Sequence, residues 1–159
     1  MLVVLMFSIA LMSKLFIKDI RRVALENNDV TKFNKHLLRE GEYSFLLPEG
    51  WDVKSVNNSK GDIEIYFNND RIYGNIYIVD GDIDSYYKNI TKEGDSTKTF
   101  NQESYDWKVI TSRNEKNASK YYLRDYSEGK ILILKFAYNN NKEKDSIKVV
   151  FDTIAMSFR

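Results

Sequence analysis

The chain has 159 residues, a formal net charge of +1 and no cysteine. That length ordinarily makes one domain with a core of its own. The missing cysteine excludes a disulfide framework, a thiolate nucleophile and a Cys-ligated metal. From Val30 onward 20 Lys+Arg face 20 Asp+Glu, so the basic excess of a nucleic-acid binder is absent and no nucleic-acid partner is expected. Aromatic residues make up 14% of the chain, eleven of them tyrosine, a bias towards sheet.

Met1 to Ser13 carries no charged side chain. Lys14 interrupts, and Leu15, Phe16 and Ile17 resume the apolar run. A membrane-spanning helix needs about 20 mostly apolar residues, and Met1–Ile17 sits at the short limit, with Lys14 able to snorkel to an interface. The basic n-region of a secretory signal is missing. The expectation is an N-terminal hydrophobic helix that anchors the chain in a membrane (residues 1–17). Lys18, Arg21 and Arg22 follow the apolar run, which by the positive-inside rule favours a cytoplasmic domain. Residues 18–41 read as a helical connector. Ile20, Val23 and Ala24 have helical spacing, Asn27-Asn-Asp29 breaks it, and a second short helix takes in Phe33, Leu37 and Leu38.

The domain is expected over residues 42–159. Tyr43–Leu47 and Trp51–Val56 read as strands joined by the turn Pro48-Glu-Gly50. Ile63–Phe67 alternates, Asn68-Asn-Asp70 turns, and Ile72–Val79 pairs back, with Ile72, Gly74, Ile76 and Ile78 on one face. Then the period changes: Ile83, Tyr86, Tyr87 and Ile90 recur at i, i+3, i+4 and i+7, an amphipathic helix capped by Asp82 or Asp84. Strands over Lys98–Gln102, Tyr105–Ser112 and Ser119–Tyr126 follow. A hairpin turn at Ser127-Glu-Gly129 leads into Lys130–Tyr138. Asn139-Asn-Asn141 ends the sheet and caps a last helix with the apolar stripe Ile147, Val150, Phe151, Ile154 and Phe158. The fold class is therefore α+β, an antiparallel sheet flanked by helices.

Tyr43-Ser-Phe-Leu-Leu-Pro-Glu-Gly-Trp51 at the front and Ile154-Ala-Met-Ser-Phe158 at the back, with this order of elements between them, resemble the PsbP-like family. That domain class is known first from an extrinsic protein of photosystem II, and in bacteria the chain resembles small exported or membrane-anchored PsbP-like proteins. The resemblance covers about residues 42–159. It implies an α/β/α sandwich, an accessory or binding role without catalysis, and an extracytoplasmic domain, against the charge rule above. Fold alone does not carry function.

Asp80-Gly-Asp-Ile-Asp84 has the alternating carboxylates of a Ca²⁺ loop, but Ser85 replaces the glycine at position six and Thr91 the glutamate at position twelve. A capped helix start explains these acids without metal. His36 is the single histidine, which excludes a multi-histidine metal site within one chain. No metal site, cofactor or catalytic residue is expected. The candidate ligand-binding residues are Tyr73, Tyr77, Tyr122 and Tyr126, part of a set with Tyr121 and Tyr138 that would form an aromatic sheet face for a peptide, a glycan or a protein. Cross-strand packing beneath a helix is the structural alternative. The expected partner is a protein or envelope component. A carboxylate-dependent envelope hydrolase and a structural subunit of a membrane complex stand as alternatives.

Overall fold

The computed structural model describes residues 16–38, 43–57, 63–102, 105–139 and 142–159. The fold is α+β, and the described residues form a seven-stranded antiparallel sheet, a two-stranded sheet and three helices. Contacts divide the chain into two units, Met1–Glu49 with Lys144–Arg159, and Gly50–Glu143. Most of the expected anchor segment, residues 1–15 of 1–17, lies outside the described residues. Among those described, no helix is long and apolar enough to cross a membrane.

In the first unit, residues 16–26 belong to helix α1. The turn after it places Asp29 at φ 59°, a left-handed position that aspartate tolerates better than most residues. Strand β1 (Phe33–Leu38) then pairs antiparallel with β2 (Tyr43–Pro48). The expected second helix is thus a strand. Phe33, Leu37 and Leu38 fit helical spacing as well as an irregular strand, and long-range pairing with β2 overrides the local signal. Helix α3 (Ile147–Ser157) buries Ile147, Val150, Phe151 and Ile154 of the stripe read from the sequence, and Ala155 as well; Phe158, the fifth residue of that stripe, is buried at the C-cap. Its cap is Ser146 rather than the asparagine run. Asn139 serves instead as a turn, its carbonyl accepting from the amides of Lys142 and Glu143.

The end of α3 closes onto β2. The Leu46 amide donates to Ser157 Oγ at 2.8 Å, and Ser44 and Arg159 exchange backbone bonds at 2.8 and 2.9 Å. Phe158 stacks between Tyr43 (6.1 Å) and Phe45 (6.5 Å). Tyr43–Pro48 of the front motif and the back motif therefore meet in the first unit. β2 does not form a hairpin with the next strand, as the turn at Pro48 had suggested; its partner is β1.

In the second unit the strand order is β3-β4-β5-β9-β8-β7-β6. The strands are β3 (Asp52–Asn57), β4 (Ile63–Asn68), β5 (Ile72–Asp80), β6 (Ser96–Gln102), β7 (Tyr105–Arg113), β8 (Asn117–Ser127) and β9 (Lys130–Asn139). Helix α2 (Ile83–Ile90) follows β5. Two antiparallel meanders are sutured where β5 pairs with β9 over nine residues, from Ile72↔Tyr138 to Asp80↔Lys130.

One face of this sheet carries a row of aromatic rings. Trp51 stacks on Phe67 at 5.9 Å, Phe67 meets Phe136 at 5.6 Å, Phe136 meets Tyr122 at 5.8 Å, and Tyr122 meets Trp107 at 6.2 Å. These separations lie in the favourable range for tilted and edge-to-face pairs. Phe67 is on β4 and Phe136 on β9, with β5 between them. The β5 residue in register with both is Gly74, and it leaves the space through which the rings touch. A Cβ at position 74 would run into the Phe67 ring. Replacing Gly74 by alanine is expected to cost about 1–3 kcal/mol by overpacking, measured by urea unfolding. The double variant F67L/G74A should lose less than the sum of the two single changes, because the smaller side chain relieves the clash.

Candidate binding face

The other face of the seven-stranded sheet is divided by the length of α2. An eight-residue helix is about 12 Å long, whereas nine residues of β5 extend about 30 Å. The helix therefore covers one part of the face and leaves the rest open. Beneath it, Ile110, Leu123, Ile131 and Ile133 are buried, packed by Tyr77, Val79, Tyr121 and the helix residues Ile83, Tyr86, Tyr87 and Ile90. Beyond it the same strands turn polar. On β5, Val79 and Tyr77 give way to Asn75 and Tyr73; on β9, Ile131 and Ile133 give way to Lys135 and Ala137.

The helix start is fixed by its cap. Asp82 accepts a 2.8 Å hydrogen bond from the Ser85 amide. That bond, with Lys108 and Lys88 nearby, holds the Asp82 carboxyl below the usual range. Asp84, in the first turn, pairs with Lys108, whose amine lies 5.4 Å from the Tyr87 ring centre. Among the described residues no cluster of acids or histidines has the arrangement of a metal site.

The open part of the face holds a shallow cavity of ≈ 490 Å³. Asp52, Val53 and Lys54 of β3 line it, with Tyr66, Phe67 and Asn68 of β4 and Tyr73 of β5. Register groups five of these on the helix-side face: Asp52 pairs with Asn68 and Asn68 with Tyr73, while Lys54 pairs with Tyr66; Val53 pairs with Phe67 at the opposite parity. The Tyr66 and Tyr73 rings are 6.0 Å apart and tilted by 43°, and Tyr73 is 49% exposed. An aromatic pair flanked by a carboxylate, an amide and an ammonium can stack on an apolar ligand surface and hydrogen-bond to its edge.

The four sequence-derived tyrosines do not share one surface. Tyr73 lies in the open groove. Tyr77, on the same face, is packed against α2, and burial followed by its hydrogen bond with Tyr86 pushes its phenol pKa up. Tyr122 is fully buried on the opposite face, where it belongs to the aromatic row. Tyr126 falls at the β8 bulge between Asp125 and Ser127. The reason is strand alternation: Tyr73 and Tyr77 have one parity in the ladder, Tyr122 the other. Tyr66, which the sequence reading left out of its candidates, is the partner of Tyr73. Alternation through Tyr66 and Asn68 would have found it.

Two buried cations also went unnoticed. Lys120 and Arg124 on β8 are 2% and 5% exposed. The Lys120 amine lies 4.8 Å from the Tyr122 ring centre, and the Arg124 guanidinium lies 5.1 Å from that of Trp107. Both share the parity of Tyr122, and this was the available signal. Cation–π contact replaces part of the lost hydration. In the first unit His36 stacks on Phe45 at 5.4 Å, and burial lowers its pKa from 6.5.

No family model and no curated protein matches the chain. Among solved structures the chain is similar to a protein from Bacteroides thetaiotaomicron, with a TM-score of 0.50 and 12% identity over 79% of this chain and 47% of that one. The chain thus spans about half the length of that protein, and the likeness is one of fold.

Two titrations check the local electrostatics. The imidazole resonances of His36 should shift with a midpoint below 6.5 in NMR; a depressed pKa means that this histidine's contribution is lost as pH falls through the folded value. For Asp82 the sign is that of a depressed carboxylate. The stability gap between the protein and D82A should be full at neutral pH and narrow as pH falls through the lowered pKa, read from urea midpoints.

Proposed function

We propose that this is a non-enzymatic, membrane-anchored binding module of the PsbP-like kind, which recognises a protein or envelope component on the open part of its sheet. The observation that carries the reading is the groove at Tyr66 and Tyr73, set where α2 is too short to cover the face. Exposed aromatic side chains with polar neighbours are what recognition surfaces use.

The anchored reading rests on the uncharged run Met1–Ser13. The α/β/α sandwich and the extracytoplasmic placement come with the family resemblance and belong to the same proposal. Protease added to intact bacterial cells should then cleave the domain while the protein stays in the membrane fraction. Binding is tested by co-sedimentation with isolated envelope fragments, intact or stripped of protein. The variant Y66S/Y73S should keep its circular dichroism spectrum and bind at least about tenfold more weakly. Unchanged binding would move recognition off this face.

A further inference from the structure

The groove on the open part of the sheet mixes apolar, polar and charged groups in a set order. Tyr66 and Tyr73 supply one bent apolar surface, their rings 6.0 Å apart and tilted by 43°. Asp52, Lys54 and Asn68 stand around them, and all three are exposed. Asp52 faces Asn68 across the β3–β4 ladder, and Asn68 faces Tyr73 across the β4–β5 ladder. Side chains directly opposed on a sheet stand about 5 Å apart. A carboxylate, which only accepts, thus sits beside an amide that donates and accepts, next to an exposed aromatic ring.

This set discriminates between ligand classes. The core of a protein–protein interface is depleted in charged side chains and takes about 800 Å² from each partner. Here a carboxylate and an ammonium line a cavity of ≈ 490 Å³, inside the range of about 300–1,000 Å³ for small-ligand sites. The charges of Asp52 and Lys54 cancel, so the groove has little pull on a polyanion. A hydrocarbon would remove water from both charges and return no hydrogen bond. A sugar ring satisfies every group. Its C–H face lies on the aromatic surface, and each hydroxyl both donates and accepts, so two adjacent hydroxyls can engage Asp52 and Asn68 together.

The floor beside the groove is low. In register with Tyr73 lie Ala137 on β9 and Ser119 on β8, small side chains that leave the way across the sheet open. With Asp52 and Asn68 this row crosses from β3 to β8, about 19 Å at the usual strand spacing. A row of that length receives linked rings in preference to a lone monosaccharide. We infer that the groove binds a neutral glycan chain with adjacent free hydroxyls, an inference that rests on the binding reading above and narrows its ligand to one class. One ring stacks on Tyr73 with its hydroxyls on Asp52 and Asn68, and the chain runs across the strands towards Ser119.

The test uses the full-length protein in mild detergent and isolated envelope fragments in three states. The first is intact. The second is extracted with detergent and digested with protease, so that glycan remains. The third is that glycan fraction oxidised with periodate, which cleaves the bond between carbons bearing adjacent hydroxyls, and then reduced with borohydride. Binding is the co-sedimentation in excess of Y66S/Y73S, which carries the same N-terminal segment. The expected binding survives extraction and digestion, changes less than about twofold between low and high salt and is lost after periodate. D52A should bind the glycan fraction about tenfold more weakly with an unchanged circular dichroism spectrum; N68A is the second variant, with the same direction expected. Binding that is lost on extraction or digestion would assign the groove a lipid or a protein, which overturns the glycan and leaves the binding reading standing. Binding that survives periodate, falls steeply with salt or is unchanged in both variants would also overturn it. No excess over Y66S/Y73S on intact fragments would sink the binding reading and the glycan together.

Discussion

The contact of Phe67 with Phe136 across Gly74 is the constraint on which the seven-stranded sheet depends. It links the β3-β4-β5 meander to the β6-β7-β8-β9 meander on the side chain level, where the β5–β9 ladder links them by backbone. Meanders form from local turns at low entropic cost. Bringing β5 to β9 closes a loop that contains α2 and three strands, and that closure has to be offset by buried area. The central strands supply it. On β9, Ile131, Leu132, Ile133 and Leu134 are all buried, so this strand is apolar on both faces, as a strand covered on both sides must be. The aromatic row then extends the cohesion outward to Trp51 and Trp107.

The same sheet explains where a ligand surface is available. The apolar residues of the helix-side face stop where α2 stops. Asn75, Tyr73 and Lys135 continue strands whose other halves carry Val79, Tyr77, Ile133 and Ile131. The chain thus encodes the reach of the helix twice, in the length of α2 and in the composition of the strands beneath it. Lys135 lies 5.5 Å from the Tyr121 ring centre at this boundary, where a long amphipathic side chain can shield the edge of the core and keep its amine in water.

The first unit solves a different problem. A two-stranded sheet is marginal alone, and the backbone of β2 gains further partners from the last residue of α3 and the segment after it. Ser44 and Leu46 bond to Arg159 and Ser157, and Phe158 fills the space between Tyr43 and Phe45. Asn28 adds a further tie across the unit, donating to Ser146 Oγ at 2.9 Å and to the Ala24 carbonyl at 2.7 Å. Residues far apart in sequence are joined here by directional bonds, so their spacing is set more tightly than apolar contact alone would set it.

What was legible in the sequence was local. The apolar stripe of α2, an aspartate cap at Asp82 or Asp84, the β8–β9 turn at Gly129 and most of the buried stripe of α3 follow from periodicity, capping and turn chemistry, which act within a few residues. Partner choice was not legible. The residues of β1 fit a helix as well as a strand until β2 is beside them, and the turn at Pro48 does not reveal that the strands it separates enter different sheets. The candidate site divides in the same way. Aromatic residues on strands could be read from the chain, and alternation alone put Tyr73 and Tyr122 on opposite faces. Which face stayed open depended on where an eight-residue helix came to rest across β5, β9 and β8. That is a matter of long-range packing, and only the tertiary structure decided that Tyr73 meets solvent while Tyr122 lies in the core.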